Sequence, residues 1–262
     1  MTDWWMAREF HSNPAGLLFW VFWVVFSITL HELGHGWAAI RAGDRTPIET
    51  GHMTWNPVVH MGPMSLLLFA LVGIAWGSMP VSPSRFRRTI DDAIVAAAGP
   101  AMNLGLALLC FLLGMLWQAY ATGAQAVPSR VWFLVDMFLR KGVYLNVALL
   151  LLNLIPAPPL DGSVILGTFV RGYRRLVGGQ NGAYLAMIAF GVVFLTARVW
   201  LWPPARYASE IAMSEAAVRL PGAAPLEAQV LRVYGGMSEE QKREAIRELM
   251  RAMRDAPSAG GG

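Results

Sequence analysis

The stretch that most constrains this chain runs from Leu17 to His35. From Leu17 to Leu30 ("LLFWVFWVVFSITL") no residue is charged, and then "HELGH" places His31, Glu32 and His35 within five positions. A run so apolar suits a helix in lipid. Each ionisable group at its end is costly to desolvate, and ionisable residues in membrane helices are rare and usually functional. The run therefore predicts a first transmembrane helix over roughly residues 15–41, with a chemical reason at its inner end. A secretory leader is the competing interpretation. It fits poorly, because the basic n-region is weak and no small-residue cleavage site follows the run.

Composition agrees with a membrane protein. Of 262 residues, 55% are hydrophobic and 15% charged, against about 25% charged in a soluble domain. The mean hydropathy is +0.44. The net charge of +4 is modest and its basic residues are scattered over loops, so no stripe for nucleic acid is present. The single cysteine, Cys110, lies in an apolar run and cannot form an intramolecular disulfide.

Further spans follow from the same reasoning. Residues 93–117 and 183–202 are apolar enough to cross, the second ended by Pro203-Pro204. Thr89, Asp91 and Asp92 resemble a helix start. Residues 131–155 are apolar except for Asp136, Arg140 and Lys141. Either a short interfacial helix precedes a span beginning near Gly142, or Asp136 pairs with Arg140 one turn on. Residues 65–77 are short for a span and suggest a re-entrant or interfacial segment. The fold class expected is an all-α polytopic membrane protein. It would be a bundle of about 4–6 transmembrane helices with an irregular segment and a short soluble C-terminal helix.

Arg41, Arg45, Arg85, Arg87 and Arg88 lie between the first helix and residue 93, and Arg171, Arg174 and Arg175 lie in the 167–182 loop. By the positive-inside rule both segments are expected on the cytoplasmic side. Residues 1–204 are expected to form the membrane core and residues 205–262 a soluble tail. Within that tail Ser238 and Gln241 have capping-box spacing, and Ala245, Ile246, Leu249, Met250 and Met253 share a face. The helix expected at about 238–254 offers a surface for the core, a membrane or a regulatory partner.

On one helical face, His31 and His35 stand one turn apart and can grip one zinc ion, with Glu32 beside them to accept a proton. A catalytic zinc usually has three protein ligands. Asp44 and Glu49 are near in sequence, but they follow Gly43 in a polar loop. Asp161 is the stronger candidate. It follows "NLIPAPP", where three prolines must break a helix, and non-helical backbone at membrane depth is tolerated only where it is buried or lines a wet cavity.

At this point the residues carry a resemblance. HELGH ending an early helix, with "NLIPAPPLDG" at 153–162 on a later one, resembles the site-2 protease family of intramembrane zinc metalloproteases, the M50 peptidases. "TWNPVVHMGPMSLLL" from Thr54, "AWGSMPVSPSRFRR" from Ala75 and "AAAGPAMN" ending at Asn103 resemble motifs of its compact bacterial branch, which lacks PDZ and CBS domains. The likeness covers roughly residues 17–170. Gly62 and Ser65 depart from it, standing where that branch usually has Asp and Thr.

The resemblance implies one zinc per chain, held by His31, His35 and Asp161, with Glu32 as the catalytic base. It implies hydrolysis of a peptide bond within or near a transmembrane segment of a membrane-protein substrate, in a bacterial inner membrane. Asn153 matches an asparagine that could hold the substrate or the oxyanion, with a helix–helix hydrogen bond as its alternative. Asn103 fits close packing beside the site. His60 is a second-shell candidate, although a loop histidine near the interface is the reading the sequence favours. His11 and His52 are expected on the surface. Segment 54–83 could add a strand edge to an extended substrate. A membrane-anchored zinc peptidase acting on soluble peptides is the alternative function.

Overall fold

The computed structural model describes Met6 and residues 13–123, 130–179 and 182–218. The first helix, α1 (Pro14–Ala42), has the start its sequence calls for. Pro14 occupies the first turn, where its missing N–H costs nothing, and Asn13 Oδ1 accepts from the Gly16 amide at 2.8 Å. Gly43, at φ 107°, closes the helix in the left-handed region. A single turn, α2 (Thr46–Glu49), follows.

Next comes α3 (Pro57–Val72), which is broken at Gly62. There φ is 67° and ψ 166°, a region open almost only to glycine. The departure from the family's Asp at this position thus has a backbone cause. Residues 74–82 then run without regular structure to a 3₁₀ turn at Pro83–Arg85. Of the segment 54–83, where a strand edge was expected, α3 takes up more than half, and residues 74–82 belong to no strand.

The central element is α4 (Asp91–Gly123), which packs against α1 and against α5 (Arg130–Asn153). At its start Asp91 accepts from the Arg88 amide at 2.9 Å and pairs with the Arg88 guanidinium. The continuous α5 decides between the two readings of residues 131–155. Asp136 pairs with Arg140 one turn on, at 2.7 Å, and among the described residues no separate interfacial helix precedes Gly142. A break at residues 154–160 leads into α6 (Asp161–Phe169), then α7 (Arg171–Gly178) and α8 (Gly182–Trp200).

Pro203 and Pro204 do not simply end a span. They sit in the first turn of α9 (Trp202–Arg206), where proline is at home. A π-helical stretch (Tyr207–Ala212) and α10 (Met213–Val218) continue from it. Residues 205–218, expected to begin the soluble tail, pack into the bundle: Ala205, Met213 and Ala217 are fully buried, and α10 lies against α4. The C-terminal helix expected at 238–254 and the surface residue His11 lie outside the described residues.

The core joins Trp23, Val24 and Ile28 of α1 to Cys110, Val143, Leu145 and Met213. Trp23 also donates its indole N–H to the Phe138 carbonyl at 2.8 Å. The outward face of α8 exposes Tyr184, Met187, Ile188, Leu195 and Val199, as a lipid-facing helix must. By length and composition, α1 and residues 91–119 of α4 can cross a membrane. The helical residues 184–197 and 202–217 pass the same test as a pair bent by 48°. At about 36 Å α5 is also long enough, but it carries Asp136, Arg140 and Lys141. The fold is a helical membrane protein.

Candidate metal centre

Helical periodicity alone places His31 and His35 on the same face of α1, and the fold turns that face to α4 and to the start of α6. Their Nε2 atoms are 3.0 Å apart. Asp161 arrives from the broken segment as the first residue of α6. Gly162 lets that turn close tightly, since a Cβ there would stand 2.3 Å from the Leu154 carbonyl oxygen. Asp161 Oδ2 lies 3.1 Å from His31 Nε2 and Oδ1 lies 3.4 Å from His35 Nε2. The three side chains each offer a ligand atom within 4.8 Å of the others.

The far sides of the rings decide what these atoms are. His35 Nδ1 is 2.7 Å from the Val95 carbonyl, which can only accept, so this nitrogen carries the proton. His31 Nδ1 is 2.6 Å from Asn103 Oδ1, again an acceptor. In the neutral rings both Nε2 atoms therefore present bare lone pairs to Asp161. Asp161 Oδ2 is buried without a hydrogen-bond partner, so its 3.1 Å approach to His31 is not a hydrogen bond. Three electron-rich atoms converge on a point that needs a cation.

A zinc ion fits that need. Zn–N bonds of about 2.0–2.1 Å imply a tetrahedral edge of about 3.3 Å, close to the 3.0 Å between the two Nε2 atoms, and Asp161 brings Oδ2 to 3.1 Å from His31 Nε2 and Oδ1 to 3.4 Å from His35 Nε2. Gly99 keeps the space open, since a Cβ there would lie 2.4 Å from His35 Nε2 and 2.5 Å from His31 Nε2.

Glu32 is buried beside the trio, 6% exposed. Residues 74–82 pass against it so closely that a Cβ on Gly77 would stand 2.6 Å from Glu32 Oε1. Side-chain and backbone tethers fix this strap. Ser65 Oγ donates to the Trp76 carbonyl and accepts from the Trp76 amide, and the Ser78 and Ser82 amides donate to the His60 carbonyl and to Asp44 Oδ2. Ser65, the second departure from the family pattern, keeps the hydroxyl this tether uses.

The other sequence candidates divide. Asn103 does more than pack, since it accepts from His31. His60 is not on a loop. It sits on α3, 1% exposed, with Nε2 donating to the Thr54 carbonyl at 2.7 Å. His52 is partly exposed, as expected. Asn153, the last residue of α5, donates to the Leu149 carbonyl of its own helix at 3.0 Å. Asp44 and Glu49 are not in the trio. Asp44 is fully buried rather than solvated, where it accepts from Thr46 and Ser82, and Glu49 pairs with Arg85. The sequence marked Ser65 only as a departure from the family pattern and gave Asn146 no role. A lone amide in the apolar run "GVYLNVALLLL" was the available signal for Asn146.

An apolar bundle holding a metal-competent trio beside a buried glutamate is the arrangement of a membrane metallopeptidase, and comparison with known proteins points the same way. The model of Peptidase family M50 matches residues 19–141. The chain is 34% identical to "Putative zinc metalloprotease YwhC" of Bacillus subtilis (strain 168) over 200 residues, which are 74% of this chain and 90% of that protein. It is 38% identical over 145 residues to "Putative zinc metalloprotease Rip2" of Mycolicibacterium smegmatis, covering 53% of this chain and 52% of the other. No solved structure gives a significant match. The chain belongs to peptidase family M50, the site-2 protease family. It is a zinc metalloprotease.

Proposed function

We propose that this protein is an intramembrane protease that hydrolyses a peptide bond within or near a transmembrane segment of a membrane-protein substrate. The observation that carries this reading is the place of the trio. His31 lies about 25 Å along α1, at 1.5 Å per residue, with a charge-free run before it. With a hydrocarbon core near 30 Å, this depth favours a site inside the membrane boundary. The arginines of residues 41–88 favour the cytoplasmic half, and with it an inner-membrane location.

In this reading His31, His35 and Asp161 hold the zinc. When bound, zinc supplies a Lewis acid that polarises the scissile carbonyl and lowers the pKa of water towards about 7. Glu32 accepts the proton of the attacking water and later returns it to the leaving amine. The strap at 74–82 favours an extended substrate. Its Trp76, Ser78 and Ser82 amides bond inward, whereas those of Gly77, Met79 and Val81 bond to nothing among the described residues. Such alternation leaves one edge open to an added strand. Asn153 has a second amide N–H to offer a substrate carbonyl.

A helical peptide must unwind before it can lie along such an edge. Cleavage is expected where Gly, Pro, Asn or Ser lowers the cost of unwinding, and slower where Leu replaces them. Mapping product termini by mass spectrometry on a membrane substrate tests this. Cuts near the cytoplasmic end of the span support it. Cuts confined to a soluble loop would overturn it in favour of a membrane-anchored peptidase acting on soluble peptides.

A further inference from the structure

Two asparagines behind His31 form a chain of hydrogen bonds that ends on a backbone carbonyl. Asn103 Oδ1 faces His31 Nδ1 at 2.6 Å, Asn103 Nδ2 donates to Asn146 Oδ1 at 3.0 Å, and Asn146 Nδ2 donates to the Gly142 carbonyl at 2.9 Å. Both asparagines are fully buried. We infer that Asn146 is a positioning residue that sets the proton position on His31 through Asn103, and so keeps His31 Nε2 bare for the metal.

The argument runs from the far end inwards. The Gly142 carbonyl can only accept, so the Asn146 amide must present its NH2 there. Its oxygen is then turned to Asn103 and can only accept. Asn103 must answer with its NH2, which turns its own oxygen to His31. An oxygen at 2.6 Å requires a proton on His31 Nδ1. In the neutral ring that proton leaves Nε2 unprotonated, the only form that can bind a cation on that side. Without Asn146, nothing in this chain of bonds stops the Asn103 amide from flipping. A flipped amide would present NH2 to Nδ1, favour the proton on Nε2, and place it against Asp161. His35 needs no such device, because the Val95 carbonyl performs the task directly. The two imidazoles of one metal pair are thus oriented in different ways, one by backbone and one by a relay of side chains across α4 and α5.

This inference rests on His31 being a zinc ligand. The test uses the full-length protein in detergent and zinc itself as the probe, with affinity read by chelator competition. Loss of an outer partner of a metal-binding histidine typically costs 10–100-fold in affinity, so Asn146→Leu should weaken zinc binding by about that factor. Asn103→Asp supplies an acceptor that cannot flip into a donor. In that background Asn146→Leu should weaken zinc by less than about threefold, which a merely structural role for Asn146 would not give. Nitrogen-15 spectra of the metal-free protein should show His31 with its proton on Nδ1 in the wild type and a mixture of both tautomers in Asn146→Leu. If Asn103→Asp does not fold, the spectra decide alone. Unchanged zinc affinity and an unchanged tautomer in Asn146→Leu overturn the relay. If His31→Ala retains full zinc affinity, the ligand assignment itself has failed, whatever Asn146 does.

Discussion

Two of the buried polar clusters among the described residues differ in whether their valences are closed. Around Arg140 every charge has an answer. Asp136 accepts from Arg140 Nε and from Gln118 Nε2. The rest of the guanidinium donates to the Ser209 and Glu210 carbonyls and to Ser214 Oγ. Around Asp161 the charges are left open. Two imidazole nitrogens and a carboxylate point at one another, and one buried oxygen has no donor. The closed cluster ties α5 to the π-helical stretch and α10 and is a structural bond. The open one is a receptor for a cation. Buried charge alone separates nothing, and it is the unfilled acceptor that marks the site.

The sharpest way to break this comparison is to remove Asp161. Asp161→Ala should abolish both zinc binding and cleavage, while the metal-free protein should unfold no more readily than the metal-free wild type. Metal analysis and thermal unfolding in detergent check both halves, and a large loss of metal-free stability would make the trio a structural cluster like the other. Glu32→Gln should keep about one zinc per chain and lower cleavage 10²–10⁴-fold. Activity above a tenth of wild type would remove Glu32 from the base role.

The closed cluster should show the opposite pattern. Arg140→Met leaves Asp136 buried without its cation, with only Gln118 among the described residues donating to it, and should cost about 3–5 kcal/mol, measured by denaturant unfolding. The zinc affinity of the folded fraction should stay the same. The smallest effect concerns the tether of the strap. Burial pushes the Asp44 carboxyl up, but hydrogen bonds from Thr46 and Ser82, with Arg85 nearby, outweigh it and hold it below its ordinary value of 3.8. A carboxyl depressed in the folded state stabilises the fold above that value, and the contribution fades as pH falls through the folded pKa. Asp44→Asn should therefore cost about 1.5 kcal/mol near neutral pH. The gap from wild type should narrow only below about pH 4. A gap that closes between pH 6 and 8 would assign it to another group.

Much of the open cluster was legible in the sequence, because its logic is local. A spacing of four puts His31 and His35 on one helical face whatever surrounds them, and three prolines must break a helix before Asp161. The closed cluster was legible only by half. The Asp136–Arg140 pair is an i, i+4 relation, but its partners at 209, 210 and 214 meet it only through tertiary packing. For the same reason the membrane core was expected to stop at 204, where two prolines stand, although proline begins a helix as readily as it ends one. Asn146 was passed over because an amide in an apolar run has no spacing rule. Its meaning lies in Asn103 across the helix interface.

The break before α6 has a consequence for how the molecule comes into being. Two residues of the trio are synthesised by position 35, and the third arrives only at position 161, on a different helix. A nascent chain therefore carries His31 and His35 long before Asp161 is made to complete the trio. The trio closes only where α6 packs on α4. A metalloprotease with this topology lacks its complete trio until its later helices are in place.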